Sequence, residues 1–262
     1  MYATTGLTDE EFNDVVAAVL IAHPELNIKP RNRSGNTAVS FRNRVHITIA
    51  YARMNITEQA LAELFATSQP TISVIITRFT PAVDDVLAPG VPTGDDLDPY
   101  EQLIIDGTLC PCWSWSDQRH LWSGKHHCTG INLQVAVDHH GCLRWVSDPL
   151  PGATHDAAAV RQSGILETLP EDGDFAYIGD KGYLGCGMLT PTRKPPGGEL
   201  TEQQKENNRA LSSVRVVVEQ AIANLKSYRV LHTDYRRPFS TFATTISMVV
   251  GLAFFRSSRS PY

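Results

Sequence analysis

One ionisable residue at the exit of an apolar strand constrains this chain more than any other feature. It lies in Leu103–Thr108, LIIDGT. Leu103, Ile104 and Ile105 form the short continuous apolar run of a buried central strand, and Asp106 follows directly. A carboxylate there must be paired, hydrogen-bonded or metal-bound to offset its burial. Gly107 lets other groups approach the backbone. Three further stretches offer acids that can share the position. Tyr177–Tyr183, YIGDKGY, has the same apolar lead-in and carries Asp180. Gly152–Asp156, GATHD, ends on Asp156 before an alanine-rich helix start, and Arg209–Lys226 reads as a helix carrying Glu219. Acids on two strand ends facing a third on a helix suit a two-metal phosphoryl-transfer site. Hard Mg²⁺ or Mn²⁺ ions take oxygen ligands, and two of them about 3.5–4 Å apart steady both attacking and leaving oxygens.

The 262 residues suffice for one large domain or a small domain joined to a medium one. With 42% hydrophobic and 19% charged residues the chain reads as an ordinary soluble globular protein. A formal net charge of −5 argues against a uniformly basic nucleic-acid binder, but the charge is uneven. Lys29, Arg31, Arg33, Arg42, Arg44, Arg53 and Arg78 share their span with only Glu58 and Glu63. Asp234 is the only acid between Lys226 and Arg259, and acids concentrate over Asp84–Asp106. The N-terminus lacks the basic and apolar regions of a secretory signal. The apolar Phe239–Phe255 is broken by Ser240, Thr241, Thr244, Thr245 and Ser247, which suits a core helix rather than a membrane span. Cys110, Cys112, Cys128, Cys142 and Cys186 make no C-x-x-C pair. They read as reduced thiols of a cytosolic protein, although Cys110, Cys112, His126, His127 and Cys128 cluster in sequence with zinc-ligating residue types.

Along the chain, Thr8 with Glu11 forms a capping box for a helix on Phe12, Val15, Val16, Val19 and Leu20. A second helix is expected over Ala38–Met54. In Thr57–Phe79, a short helix on Ala60, Leu61, Leu64 and Phe65 breaks at Thr67-Ser68 before a second helix on Ile72, Val74, Ile75, Ile76 and Phe79. That is the spacing of a helix-turn-helix or of a plain helical hairpin. Its second helix would turn Gln69, Thr71, Ser73, Thr77 and Arg78 outward, residue types that contact bases and phosphates. Ala88–Pro99, rich in Pro, Gly and Asp, reads as a linker. Beyond it, strands are expected at the Asp106 run, Gly130–Asp138 and Cys142–Val146, the last two paired through a His139–Gly141 turn, with Trp113–Trp122 a loop or hairpin. A helix over Asp156–Leu169, a strand over Phe175–Gly179 and two helical pieces over Thr201–Tyr228 follow. This order gives an α/β layered domain. The expected domains are residues 1–88 (helical), 89–100 (linker) and 101–262 (α/β).

In the last helix Arg215 precedes Glu219 by four residues and Lys226 follows it by seven, so all three return to one side. Val216, Val217, Ile222 and Leu225 can bury a face. With IIDGT at 104–108, SGKHHCTGINLQVAVDHHG at 123–141, PGATHD at 151–156, IGDKGYLG at 178–185, LTPTR at 189–193 and the run from Arg215 through Glu219 to Lys226, the chain resembles the DDE transposases of the Harbinger type and their bacterial insertion-sequence relatives. The likeness covers nearly the whole chain, including the helix-turn-helix. It implies an RNase H-like catalytic domain preceded by a small all-helical helix-turn-helix domain. The implied triad is Asp106, Asp180 and Glu219 with two divalent ions, Mg²⁺ or Mn²⁺. Asp156 competes with Asp180 for the second place in the triad and is a further candidate ligand, against a capping role for Ala157–Val160. The resemblance further implies cutting and joining of double-stranded DNA at transposon ends by a homodimer or larger assembly, nucleoid-associated and with no membrane partner. Lys125, Arg215 and Lys226 are candidate DNA contacts beside the acids. In many relatives a tyrosine sits three positions before the arginine; here that position is Ser212. The competing readings are a transposase-derived DNA-binding protein or nuclease without transposition activity, and a metal-dependent phosphohydrolase of another kind.

Overall fold

The computed structural model describes residues 1–27, 39–113, 118–170 and 176–259. Lys29, Arg31, Arg33, Ala38 and Phe175, together with residues 114–117 of the aromatic stretch, lie outside them. In chain order the helices are α1 (Tyr2–Thr5), α2 (Asp9–Ala22), α3 (Phe41–Met54), α4 (Glu58–Leu64), α5 (Gln69–Leu87), α6 (Asp156–Gln162), α7 (Glu202–Leu225) and α8 (Phe242–Ser257). The strands are β1 (Ile104–Pro111), β2 (Trp122–Ser123), β3 (Cys128–Val137), β4 (Leu143–Val146) and β5 (Leu150–Pro151). Two compact units result: Met1–Val91 with Lys226–Tyr262, and Pro92–Leu225. Residues 226–262, placed with the α/β domain from sequence, therefore fold with the N-terminal helices. Their apolar residues, among them Phe242, Ile246, Val249 and Leu252, are buried in that helical core.

The helical unit starts where its caps dictate. Thr8 accepts from the Glu11 N–H at 3.2 Å while Glu11 accepts from the Thr8 N–H at 2.6 Å, closing a capping box at α2. Ser40 caps α3, so that helix opens at Phe41 and not at Ala38. Thr57 caps α4 and Ser68 caps α5 through the Ala60 and Thr71 N–H groups. Between α4 and α5 the chain turns through Ala66 at φ 50°. Ile72, Ile75, Ile76, Phe79 and Val83 bury one face of α5, which packs on α2, α3, α4 and α8. Phe239–Ser257 is long and apolar enough to cross a membrane by length and composition. Its Phe242, Ile246, Val249, Leu252 and Phe254 are instead buried within the helical unit. Polar ties reinforce the junction: Asn55 Nδ2 donates to Thr233 Oγ1 at 2.7 Å, and Arg237 pairs with Glu58 and donates to Thr77 Oγ1.

The second unit is built on β3. It pairs antiparallel with β1, placing Ile104 opposite Val137, Asp106 opposite Val135 and Gly107 opposite Gln134. β2, β4 and β5 also pair antiparallel with β3. At the β1 edge Ile178 bridges parallel to Ile104, and Leu189 bridges parallel to Ile178. The strand expected over Phe175–Gly179 is thus reduced, among the described residues, to this bridge. Two hydrogen bonds hold it: Ile105 N to Ile178 O at 2.8 Å and Ile178 N to Leu103 O at 2.9 Å. The expected helix over Asp156–Leu169 stops at Gln162 and resumes as a 3-10 turn at Ile165–Thr168. The two pieces expected over Thr201–Tyr228 are one helix, α7, whose span contains neither Gly nor Pro to break it. Leu103, Ile105, Ala136, Trp145, Val160, Ile165, Tyr177 and Tyr183 form the core beneath the sheet.

Asp138, 1% exposed, locks the β3–β4 connection at His139–Gly141. Its Oδ1 accepts from the N–H groups of His140 and Cys142, both at 2.9 Å, and Arg144 lies 3.0 Å from Oδ2. Burial works against the charge, but these two N–H groups and Arg144 outweigh it and hold the carboxyl below the ordinary Asp value. Because the folded value is depressed, the stabilisation is present above the unfolded value near pH 4 and is lost as pH falls through the folded one. Replacing Asp138 by Ala is expected to lower stability at pH 7 by about 1–3 kcal/mol, the cost of orphaned buried donors. In urea titrations the stability difference between the two proteins should narrow as pH falls below about 4.

Candidate active site

Three of the four candidate acids converge on one end of β1. Asp106, 17% exposed, accepts from its neighbour's N–H (Gly107) at 2.9 Å and from Arg215 Nη2 at 3.1 Å. Asp180 caps the 3-10 turn Lys181–Tyr183, accepting from the Gly182 N–H at 2.6 Å. Asp156 is the first residue of α6, but His155 is the cap residue and no side chain caps that helix. The Asp156 carboxylate instead accepts from Lys125 Nζ at 2.9 Å. Two glycines make the convergence possible. A Cβ on Gly107 would lie 2.7 Å from Asp156 Oδ1, and one on Gly182 would lie 2.8 Å from Asp180 Oδ1 and 3.1 Å from Asp156 Oδ2.

The charges act on one another. Burial raises the Asp106 carboxyl above the ordinary value, Arg215 pulls it down, and Asp180 and Asp156 push it up again. Burial works against the Lys125 charge, yet its hydrogen bond to Asp156 and the fields of Asp156, Asp180 and Asp106 hold the ammonium above its usual range. Among the described residues no three acids meet at a point that already forms a metal site; Arg215 pairs with Asp106 and Lys125 with Asp156. The donor set still fits a hard divalent ion. Three carboxylates face a cradle that any side chain at 107 or 182 would fill, and Arg215 holds Asp106 by one contact while its Nε is buried without a partner. Asp106, Asp156 and Asp180 would hold such an ion.

Glu219 is not brought to this cluster by any hydrogen bond or ion pair among the described residues, and it is exposed. Of the expected face Val216, Val217, Ile222 and Leu225, Leu225 alone is fully buried, with Val218 and Ala221 beside it; Val217 and Ile222 are half-buried and Val216 is 58% exposed. Arg215 borders that buried face, and Glu219, four residues on, falls about 40° further round the helix toward solvent. Arg215 is itself largely buried against Asp106.

The comparisons bear on the same residues. A family model for the DDE superfamily endonucleases matches residues 105–254, more than half the chain. This chain belongs to the DDE superfamily endonucleases. A protein of Streptomyces albus G, assigned as transposase of insertion sequence element IS112, is 29% identical over 229 residues, 87% of this chain and 83% of the relative. One of Microchaete diplosiphon, assigned as transposase of element IS702, is 33% identical over 108 residues, 38% of this chain and 37% of the relative. No solved structure gives a significant match.

The remaining candidates of this endonuclease are dispersed. Lys125 is well exposed beyond its contact with Asp156. Lys226 lies past the end of α7 and belongs to the helical unit. On α5, Gln69, Thr77 and Arg78 are exposed, while Thr71 and Ser73 are half-buried. Gln69 Nε2 donates to Glu58 Oε2 at 2.5 Å, and Thr77 accepts from Arg237. Three residues that sequence reading missed sit directly under the acids. Tyr183, fully buried, donates to Gln134 Oε1 at 2.7 Å, and Gln134 Nε2 donates to Asn132 Oδ1 at 2.8 Å. The only signal for them was two amides interrupting the apolar strand GINLQVAVD. Burial first, then the three carboxylates, pushes the Tyr183 phenol far above its ordinary value.

The glycine cradle makes a direct prediction. Replacing Gly107 by Ala should displace the Asp156 carboxylate and weaken Mn²⁺ binding by about 10–100-fold, as loss of support around a metal ligand does. Calorimetric titration with Mn²⁺ measures it. Unchanged affinity would show that the space over Gly107 is not needed for metal.

Proposed function

We propose that this endonuclease is a transposase that cuts and joins DNA strands at transposon ends by divalent-metal-dependent phosphoryl transfer. The observation that carries the reading is the convergence of Asp106, Asp156 and Asp180 on a glycine-floored cradle in a chain of this family. The transposase assignments of both relatives support it. Strand order supports an RNase H-like catalytic unit: antiparallel pairing around β1 and β3, then parallel bridges from β1 to Ile178 and from Ile178 to Leu189. When bound, the ions supply a charge clamp on attacking and leaving oxygens.

The residues of the chain do the rest. Asp106 and Asp180 present carboxylates from a strand and from the cap of a turn, both held by backbone N–H groups so that little reorganisation is needed. Asp156 adds a third oxygen donor, and Glu219 is the third acid of the triad, on the helix that also carries Arg215. Arg215 and Lys125 neutralise the acids, and each would take a DNA phosphate once metal claims the carboxylates. Alanine at Asp106, Asp180 or Glu219 should lower cleavage of element-end DNA in Mg²⁺ or Mn²⁺ by on the order of 10³-fold, with end binding retained. Asp156→Ala is the discriminating variant. Loss of cleavage with Asp156→Ala but not with Glu219→Ala would replace Glu219 by Asp156 in the triad.

DNA recognition is assigned to α4 and α5 as a helix-turn-helix, with Gln69, Thr77 and Arg78 leading and a dimer or larger assembly holding two ends together. The capped pair, its tight turn and the basic excess of the helical unit support this. Because residues 226–262 belong to the same unit, the test uses the full chain. Arg78→Ala should weaken binding across DNA sequences and reduce the slope of log K against log salt by about 1. An unchanged slope in a filter-binding series would remove Arg78 from the interface.

A further inference from the structure

Gln134 is fully buried in the middle of β3, where a strand between neighbours ordinarily carries an apolar residue. Its backbone is held by Ser147: its N–H donates to Ser147 Oγ at 2.9 Å, and its carbonyl accepts from the Ser147 N–H at 2.9 Å. Its side chain lies over Gly107, opposite it in the β1–β3 register, and a Cβ there would come within 2.9 Å of Gln134 Nε2 and 3.3 Å of Tyr183 Oη. The amide accepts from Tyr183 on one side and donates to Asn132 on the other. Asn132 in turn donates from Nδ2 to the Thr154 carbonyl at 3.1 Å.

The two ends of this chain of bonds matter. Tyr183 closes the turn that Asp180 caps, and Thr154 lies two residues before Asp156. A continuous buried path therefore runs from the Asp180 turn, across the residue after Asp106, to the loop that delivers Asp156. We propose that Gln134, through Tyr183 and Asn132, is a positioning residue that sets the spacing of the Asp180 and Asp156 carboxylates around Asp106 for a divalent ion. Gln134 touches neither metal nor DNA. An amide fits the task because it accepts from one side and donates to the other, which a carboxylate or an apolar residue cannot do. The proposal rests on the metal-dependent nuclease reading.

The test separates positioning from plain structural support. Gln134→Met conserves volume and leaves the Tyr183 hydroxyl unpaired; Tyr183→Phe removes that hydroxyl; the double variant removes both partners. Removing both partners of a buried hydrogen bond is far less destabilising than removing one, so the double variant should recover much of the thermal stability lost by Gln134→Met. Under positioning, Mn²⁺ affinity measured calorimetrically on the folded proteins falls at least tenfold in Gln134→Met and stays low in the double variant. kcat for end cleavage falls with it, while KM for end DNA is unchanged. Mn²⁺ affinity at the wild-type level in either folded variant, or affinity that returns with stability in the double variant, overturns the proposal. The wild-type protein in the same titration distinguishes the two readings. If it binds no Mn²⁺, the nuclease reading fails and the positioning role fails with it; if it binds and the variants bind equally, only the positioning role fails.

Discussion

The antiparallel pairing of β1 with β3 is the constraint on which the candidate site depends. It sets Asp106 at the border of the buried sheet and puts a residue without a side chain, Gly107, over the Gln134 amide. Once that carboxylate is largely removed from water, its charge must be met from nearby. Arg215 comes from α7, and the turn at Asp180 and the start of α6 bring two more carboxylates against it. Lys125 then balances Asp156. The Asp180 and Asp156 carboxylates help burial to hold the Asp106 carboxyl above its ordinary value, so the arrangement gains from any added cation, a divalent one most of all. The absence of a capping bond at α6 fits the same logic, because a carboxylate engaged with the helix N–H groups would not be available to Lys125 or to metal.

The division into two units redistributes the charge of the chain in a way its total conceals. The helical unit, which gathers Arg42, Arg53, Arg78 and the C-terminal basic run, has more basic than acidic residues. The sheet unit has the reverse and contains the acid cluster. A protein of net charge −5 can thus carry one unit suited to a polyanion and another suited to cations. The C-terminal segment brings apolar mass to the first unit through α8 and polar ties through Arg237 and Thr233. The family match, which ends at residue 254, accordingly spans parts of both units.

What the sequence determined by itself is local. Caps at Thr8, Thr57 and Ser68, the strand around Asp106, the turn at His139–Gly141 and the core character of α8 depend on residues adjacent in the chain, and the ordered motifs sufficed to recognise the family. What only the tertiary structure decided depends on rotation and on distant partners. A period of 3.6 residues allows several apolar faces on VRVVVEQAIANL, and packing against β1 and β3 chose Val218, Ala221 and Leu225; this carried Arg215 to Asp106 and left Glu219 exposed. The Gln134 network was illegible for the same reason. Its partners lie at residues 132, 154 and 183, and a buried amide is recognisable only once the groups that satisfy it are in place.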